Sequence, residues 1–409
     1  MSIFERWRLK QNPYTTSPID KENLDLFVGR KEKVKIAGNV ISEKSIVIVE
    51  GKRGVGTTSF GNYIRFQKEL KGKNLTPVRE LSVQNGWNEE ILIANVLSSL
   101  TWELEGKIPD KYKDRYNEIK LVAHQIRETY RNISLQLSVV GTGGGIGINK
   151  QTNVIMPQFY PTATLIQHLL EIKKLVEVSG FNKETIIQLN NLDMDVLFSS
   201  QQLIIFLNNI RDILQIEGYT WILVGDSGLR SCISDKVDRL DDIISYDCII
   251  EPLTLSEVYL TINKRLEKFA QKENYLKPLS DNLIEILYHA TNGRIRQIFG
   301  FSTRLIHSVS DNLLIEQITP DVALPIIKRE VEDKLRQNNI TRREKMVLEE
   351  IAENPGISPS ILSSKTGLSL PNLSRLLSHL LKARFVSFER AGRIRRYNVS
   401  SDVLITFTK

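Results

Sequence analysis

The sequence predicts an α/β fold: a parallel sheet built around a glycine-rich loop, then a helical segment, then a small basic domain of helices and a hairpin. Three observations carry this expectation. Apolar strand-like runs begin at Ile46, Thr185 and Trp221 and are separated by helical patterns, the order that produces a parallel sheet with ligands at the carboxyl ends of its strands. The first run leads into Gly51-Lys52-Arg53-Gly54-Val55-Gly56-Thr57-Thr58-Ser59, which has the glycine spacing of the G-x-x-x-x-G-K-[ST] phosphate-binding loop. The formal net charge is +7, and Thr341 to Lys409 holds 12 Lys and Arg against 6 Asp and Glu. Nearly all the excess positive charge therefore lies in this last stretch, the footprint of a polyanion partner.

Composition sets the frame. The chain has 409 residues, 41% hydrophobic and 25% charged, an ordinary globular composition with room for about two or three domains. No run approaches the roughly 18 apolar residues of a membrane helix. The stretch from Met1 to Lys10 lacks the apolar region of a secretory leader. Two cysteines, Cys232 and Cys248, and five histidines allow neither a disulfide framework nor a cysteine-rich zinc site. A cytoplasmic protein without membrane contact is expected, with no metal ligands and no catalytic residue to name.

Taken in order, Asn12-Pro13-Tyr14, a polar link from Thr15 to Lys21 and Leu26-Phe27-Val28-Gly29-Arg30 precede the first helix. From the residues alone they form an extended apolar stretch with a turn glycine. The loop follows. In this motif glycines let backbone N–H groups wrap phosphates, a lysine reaches the β and γ oxygens, and a hydroxyl residue holds Mg²⁺. Here Thr57 stands in the lysine position and Thr58 in the hydroxyl position. Gly51, Lys52, Gly54, Gly56, Thr57, Thr58 and Ser59 are the candidate phosphate-binding residues. The second strand, Thr185 to Asp193, arrives where an aspartate for the metal and a glutamate for the attacking water belong, and it carries Asn190 and Asn191. An amide brings a cation no negative charge and a water no base. Three altered groups in two separate motifs point to a nucleotide fold that hydrolyses slowly or not at all. Lys52 for the lysine, and Asp193 or Asp195 for the metal, are the alternative suppliers of charge.

Between these strands the pattern from about Asn88 to Tyr130 is helical, with Ile91, Ile93, Val96, Leu97 and Leu100 on one apolar face and Ile119, Val122, Ala123 and Ile126 on another. Residues 133–140 alternate apolar and polar and run into Gly141-Thr142-Gly143-Gly144-Gly145-Ile146-Gly147, which predicts a β-hairpin that extends the sheet edge, with lining an oligomer pore or touching DNA as the alternatives. Helices are expected at 163–179 and 201–217, and a third buried strand from Trp221 to Asp226. The core then occupies 1–250, a helical lid 251–338 and the basic domain 339–409.

In the basic domain, Thr341-Arg342-Arg343-Glu344 has the form of a capping box. Pro355-Gly356 breaks the helix after it, Pro359 and Pro371 open two more in their first turns, and Gly367 allows the tight turn between them. On the third helix Leu373, Leu376, Leu377, Leu380 and Leu381 pack inward, leaving Asn372, Ser374, Arg375, Ser378, His379 and Lys382 outward. Those outward groups suit base edges and phosphates. A hairpin follows, with Arg390, Arg393, Arg395 and Arg396 at or near its tip, and a hairpin after a recognition helix is the wing of a winged helix.

On these residues the chain resembles the AAA+ and STAND ATPases, in the layout of the archaeal origin-recognition initiators, and its last segment resembles the winged helices of MarR- and ArsR-like regulators. The resemblance implies that the Val28-Gly29-Arg30 run folds over adenine and that Asp226 fills the sensor 1 position. It also implies that the helix after Glu251-Pro252-Leu253-Thr254-Leu255-Ser256-Glu257 opens the lid. Arg296, in the G-x-x-R run from Gly293, fills sensor 2, and Arg230 or Arg239 would be an arginine finger. ATP or ADP, with or without Mg²⁺, is the implied ligand. The expected function is a DNA-binding scaffold or adaptor with a hydrolysis-deficient nucleotide site, acting in replication, transposition, transcription control or defence against foreign DNA. Its expected partners are double-stranded DNA, further copies of itself and another protein of such a system. An active ATPase loader and a nucleotide-sensing switch are the alternatives.

Overall fold

A computed structural model describes residues 3–41, 44–140, 161–193, 200–312, 314–391 and 394–407. The expected Gly141 to Gly147 turn lies outside them, as do Asp195 and Arg393. The chain divides into two compact units, Ser17–Glu251 and the N-terminal residues to Thr16 together with Pro252–Lys409.

The Ser17–Glu251 unit is the α/β core. Its elements are α1 (Lys31–Val40), β1 (Ile46–Glu50), α2 (Thr57–Lys71), β2 (Leu81–Ser82), α3 (Glu89–Leu104), α4 (Lys113–Val140), α5 (Thr162–Val178), β3 (Thr185–Asn190), α6 (Ser200–Leu214), β4 (Tyr219–Gly225), α7 (Leu229–Lys236), α8 (Asp238–Asp241) and β5 (Tyr246–Ile249). The strands form one sheet in the order β2-β3-β4-β1-β5, parallel throughout. Every residue of β1, β3 and β4 is buried, as a sheet covered on both faces requires. Alternate residues feed opposite faces: Ile46 and Ile48 join the large cluster with α3 to α6, whereas Val47 and Val49 join the smaller one with α1 and α2.

Residues 133–140 continue α4 and do not form the predicted strand. The alternating pattern there also places Ile133 and Leu137 four apart, on one helical face. Extending an existing helix costs little once it is nucleated, so the helix begun at Lys113 continues. Strand β3 stops at Asn190, because Asn191 turns left-handed at φ 64°.

Arg65 of α2 is fully buried in this unit. Its guanidinium donates to Asn62 Oδ1, Thr76 Oγ1 and the carbonyls of Pro77 and Val78, with the Glu80 carboxylate 3.7 Å away. It thereby fixes the chain that leads into β2. Burial pulls its pKa down to about 10, against the pull of Glu80, Glu69 and Glu103.

The second unit contains α9 (Leu255–Phe269), α10 (Asp281–Thr291), α11 (Ile295–Ser308), α12 (Pro320–Gln337), α13 (Arg342–Glu353), α14 (Pro359–Thr366), α15 (Leu370–Lys382), β6 (Val386–Ala391), β7 (Ile394–Val399) and α16 (Ser401–Phe407). One apolar cluster joins Trp7, Leu9 and Tyr14 to the lid helices and runs on through Val347, Leu373 and Val403 of the basic domain. Residues 3–16 thus pack with the lid, where Trp7 Nε1 donates to Glu316 O at 2.7 Å. Arg265 Nη1 donates to the carbonyls of Pro13 and Thr15, both at 3.2 Å. Among the described residues no helix is long and apolar enough to cross a membrane.

Candidate nucleotide site and nucleic-acid interface

The glycine-rich loop joins β1 to α2 at the carboxyl edge of the sheet. Gly54 and Gly56 take φ of 93° and 100°, a region that L side chains rarely adopt. Gly56 is the N-cap of α2, so Thr57, Thr58 and Ser59 open the helix and present the unpaired N–H groups of its first turn. Gly51 is required by space: a Cβ there would lie 2.5 Å from the Ile250 carbonyl oxygen. Lys52 is exposed.

Strand β3 brings Asn190 against this loop. Its Nδ2 donates to Thr58 Oγ1 at 3.4 Å, while its Oδ1 accepts from Gln188 Nε2 at 2.9 Å. Asn190, Gln188 and the Thr58 hydroxyl thus form one cluster of neutral groups. A magnesium ion needs oxygen ligands, and an amide brings it no negative charge. The Ser59 hydroxyl accepts the Ile19 N–H at 3.2 Å, and Asn62 Nδ2 donates to Ile19 O at 2.9 Å. Together they tether the N-terminal link to α2. Asp226 is half-buried just beyond β4.

Two charged residues at this edge make contacts that the sequence did not show. Arg30, left-handed at φ 58°, donates through Nη2 to the carbonyls of Val55 at 2.6 Å and Glu251 at 3.0 Å. Its Nη1 lies 3.7 Å from where a Gly56 Cβ would stand, so a guanidinium rests on the glycine-rich loop. Glu50, the last residue of β1 and buried, accepts the N–H groups of Gly228 at 3.2 Å and Arg230 at 2.9 Å, and so caps the first turn of α7. Neither contact has a local signal, because each partner is at least 25 residues away in sequence. Arg230 pairs with Asp241 and lies 3.7 Å from Asp247, which occupies it within its own chain. Arg239 is exposed on α8, and Arg296 is exposed at the second position of α11 in the other unit.

In the basic domain, Thr341 and Glu344 form the capping box of α13. The buried Glu344 also holds His379, with Oε1 2.6 Å from Nδ1. Burial pushes the Glu344 carboxyl up, but the Thr341 backbone N–H and His379 outweigh it and leave the pKa below its ordinary value. His379 is therefore a brace between α13 and α15 as well as a member of the outer face. Leu373, Leu377 and Leu380 are buried, and Asn372, Ser374, Arg375, Ser378, His379 and Lys382 are all exposed. In the hairpin, Arg395 lies 4.7 Å over the Phe388 ring, and Arg396 stands opposite Glu389 in register. Both arginines are exposed. Arg390 belongs to β6 by its backbone, and its side chain is outside the described residues.

A profile of the MarR family matches residues 338–396, the span of α13 to the wing. The whole chain is similar in structure to the ORC2 protein of Aeropyrum pernix in its ADPNP–ADP complexes, at 12% identity and a TM-score of 0.51, covering 97% of this chain and 96% of that one. It is equally similar to the Walker-type ATPase PABY2304 of Pyrococcus abyssi, at 14% identity and a TM-score of 0.51, covering 97% and 99%. The fold is the one these two structures share, with a MarR-type winged helix as its last segment. No curated protein matches the sequence. In the Ser17–Glu251 unit the glycine cradle and the opening of α2 fit the phosphate part of a nucleotide. The group beside Thr58 is the neutral amide of Asn190, which does not fit a metal that needs charged oxygen ligands. Among the described residues no cluster of three or more His, Cys, Asp or Glu could hold one.

Proposed function

We propose that this protein is a DNA-binding AAA+-like scaffold that holds a nucleotide without turning it over. The observation that carries the DNA half is the outer face of α15: six polar or basic groups, all exposed, beside a wing rich in arginine and in the most basic stretch of the chain. Phosphate contacts from Arg375, Lys382, Arg395 and Arg396 would position the helix, and Asn372, Ser374 and Ser378 would reach base edges.

The nucleotide half rests on the geometry at Thr58. A bound nucleotide would supply the phosphates that the loop's N–H groups and Arg30 are placed to hold. Thr57, Asn190 and Asn191 leave the transition-state charge, the metal and the attacking water unsupported. Self-association through the AAA+-like unit would set several winged helices on one duplex and multiply their affinity. Replication, transposition, transcription control and defence are all processes in which such an adaptor could place a partner on DNA.

The test is made on the full chain. The winged helix shares one apolar cluster with the lid, so truncation near Asn338 would strip a core. Turnover of ATP should stay at background with and without duplex DNA, while nucleotide binding is measurable by calorimetry. Sustained turnover near one per second, abolished by Gly56→Asp, would overturn the scaffold reading in favour of an active ATPase.

A further inference from the structure

Within the second unit a cleft of about 680 Å³ opens between α11 of the lid and the base of the winged helix. Three arginines line it: Arg294 at the N-cap of α11, Arg304 nearly three turns further along that helix, and Arg384 in the turn between α15 and β6. Arg384 holds a left-handed backbone at φ 61°, and Arg304 and Arg384 are exposed to the cleft's solvent. Arg294 is anchored by its Nε donating to Thr291 O at 2.9 Å, and its Nη2 donates to Ser401 Oγ at 3.5 Å. Ser401 donates in turn to Gln297 at 2.9 Å.

The counter-charge is small. Asp402, the one carboxylate in the described lining, is bound by Lys334 at 2.6 Å, and Glu389 exerts a pull on Arg294. The hydroxyls of Ser387, Ser400 and Ser401 and the apolar surface of Leu381, Val386 and Val399 complete the walls. Convergent guanidinium groups suit planar recognition of phosphate oxygens, and the volume lies within the range of small-ligand sites, about 300–1,000 Å³. The hairpin base, where Val386 pairs with Val399, is the end away from the wing tip that meets DNA in the reading above.

We propose that this cleft binds a nucleotide-sized phosphorylated ligand, with Arg294, Arg304 and Arg384 on its phosphate oxygens. The ligand would tie the lid helix to the base of the wing. The assignment does not depend on the glycine-rich loop or on the DNA interface.

Hydrogen–deuterium exchange on the full-length protein tests it, with ADP, inorganic pyrophosphate and a short duplex as separate probes. ADP or pyrophosphate should slow exchange in residues 294–304 and 384–402. Arg304→Gln with Arg384→Gln, two exposed positions, should raise the concentration needed by about tenfold for each guanidinium lost. Protection in the loop at residues 51–59 should stay as in the unsubstituted protein, which separates the two sites and reports that the variant is folded. Absence of protection in the cleft segments at millimolar ligand, or equal protection in the variant, overturns the proposal. Protection by the duplex alone also overturns it, since the arginines would then belong to the DNA interface.

Discussion

Removing the two cations of α15 gives the sharpest test of the DNA interface. Arg375 and Lys382 are exposed on the helix, and Arg395 and Arg396 on the wing. Arg396 faces Glu389 across the hairpin, which discounts it, so three to four phosphate contacts are expected. Each contributes about −0.9 to the slope of log affinity against log salt, a total of about −2.7 to −3.6. Between about 50 and 200 mM salt the affinity for duplex DNA should therefore fall about 40- to 150-fold. Contacts from Arg390 or Arg393 would steepen it. Arg375→Ala with Lys382→Ala should make the slope shallower by about 1.8 and weaken binding at every salt concentration. Fluorescence anisotropy on a labelled duplex measures both. A slope already near zero in the unsubstituted protein, or one that the double variant leaves unchanged, refutes the interface as drawn.

Three further outcomes follow from the described contacts. Thr57→Lys should tighten nucleotide binding in calorimetry yet leave phosphate release at background, because the Asn190 amide beside Thr58 still brings no charge to a metal. Arg65→Leu strands the Asn62, Thr76, Pro77 and Val78 acceptors and should cost about 3–5 kcal/mol, read as an earlier midpoint in urea; a loss under about 1 kcal/mol would show that water reaches those groups. Glu344 has its folded pKa held below the ordinary value, so its contribution is present above the unfolded pKa of about 4.3 and is lost as pH falls through the lower folded value. Glu344→Gln should lower the melting temperature at neutral pH and flatten its decline on the acid side.

Much of the fold was legible because its central strands hold short apolar runs, Ile46 to Val49 and Trp221 to Val224, each with a glycine within two positions of its end. The loop from Gly51 to Ser59, the strand to Asn190 and the α13 capping box all depend on residues within a few positions of one another. Residues 133–140 misled because the same spacing satisfies a strand face and, at every fourth position, a helix face; the α4 helix already running from Lys113 decides between them. Arg30 at Val55, Glu50 at the start of α7 and His379 at Glu344 could not be read, since each depends on a partner brought close only by the folded chain. The cleft arginines escaped for the same reason: Arg294 and Arg384 are 90 positions apart and resemble ordinary solvated charges in the sequence.

The continuous core of lid and winged helix has a consequence for how such a chain changes over time. A DNA reader on a flexible tether can be exchanged for another as a cassette, because its core is its own. Here Val347, Leu373 and Val403 lie in one apolar cluster with Ile298, Ile327 and Trp7, and Lys334 of α12 grips Asp402 of α16 at 2.6 Å. A foreign winged helix grafted at residue 339 would meet a lid surface shaped for different side chains, and mismatched cores lose stability through cavities or overpacking. In the reading proposed above, new DNA specificity would come from substitutions on the outer face of α15 and the wing, while the inner face changes only in step with the lid.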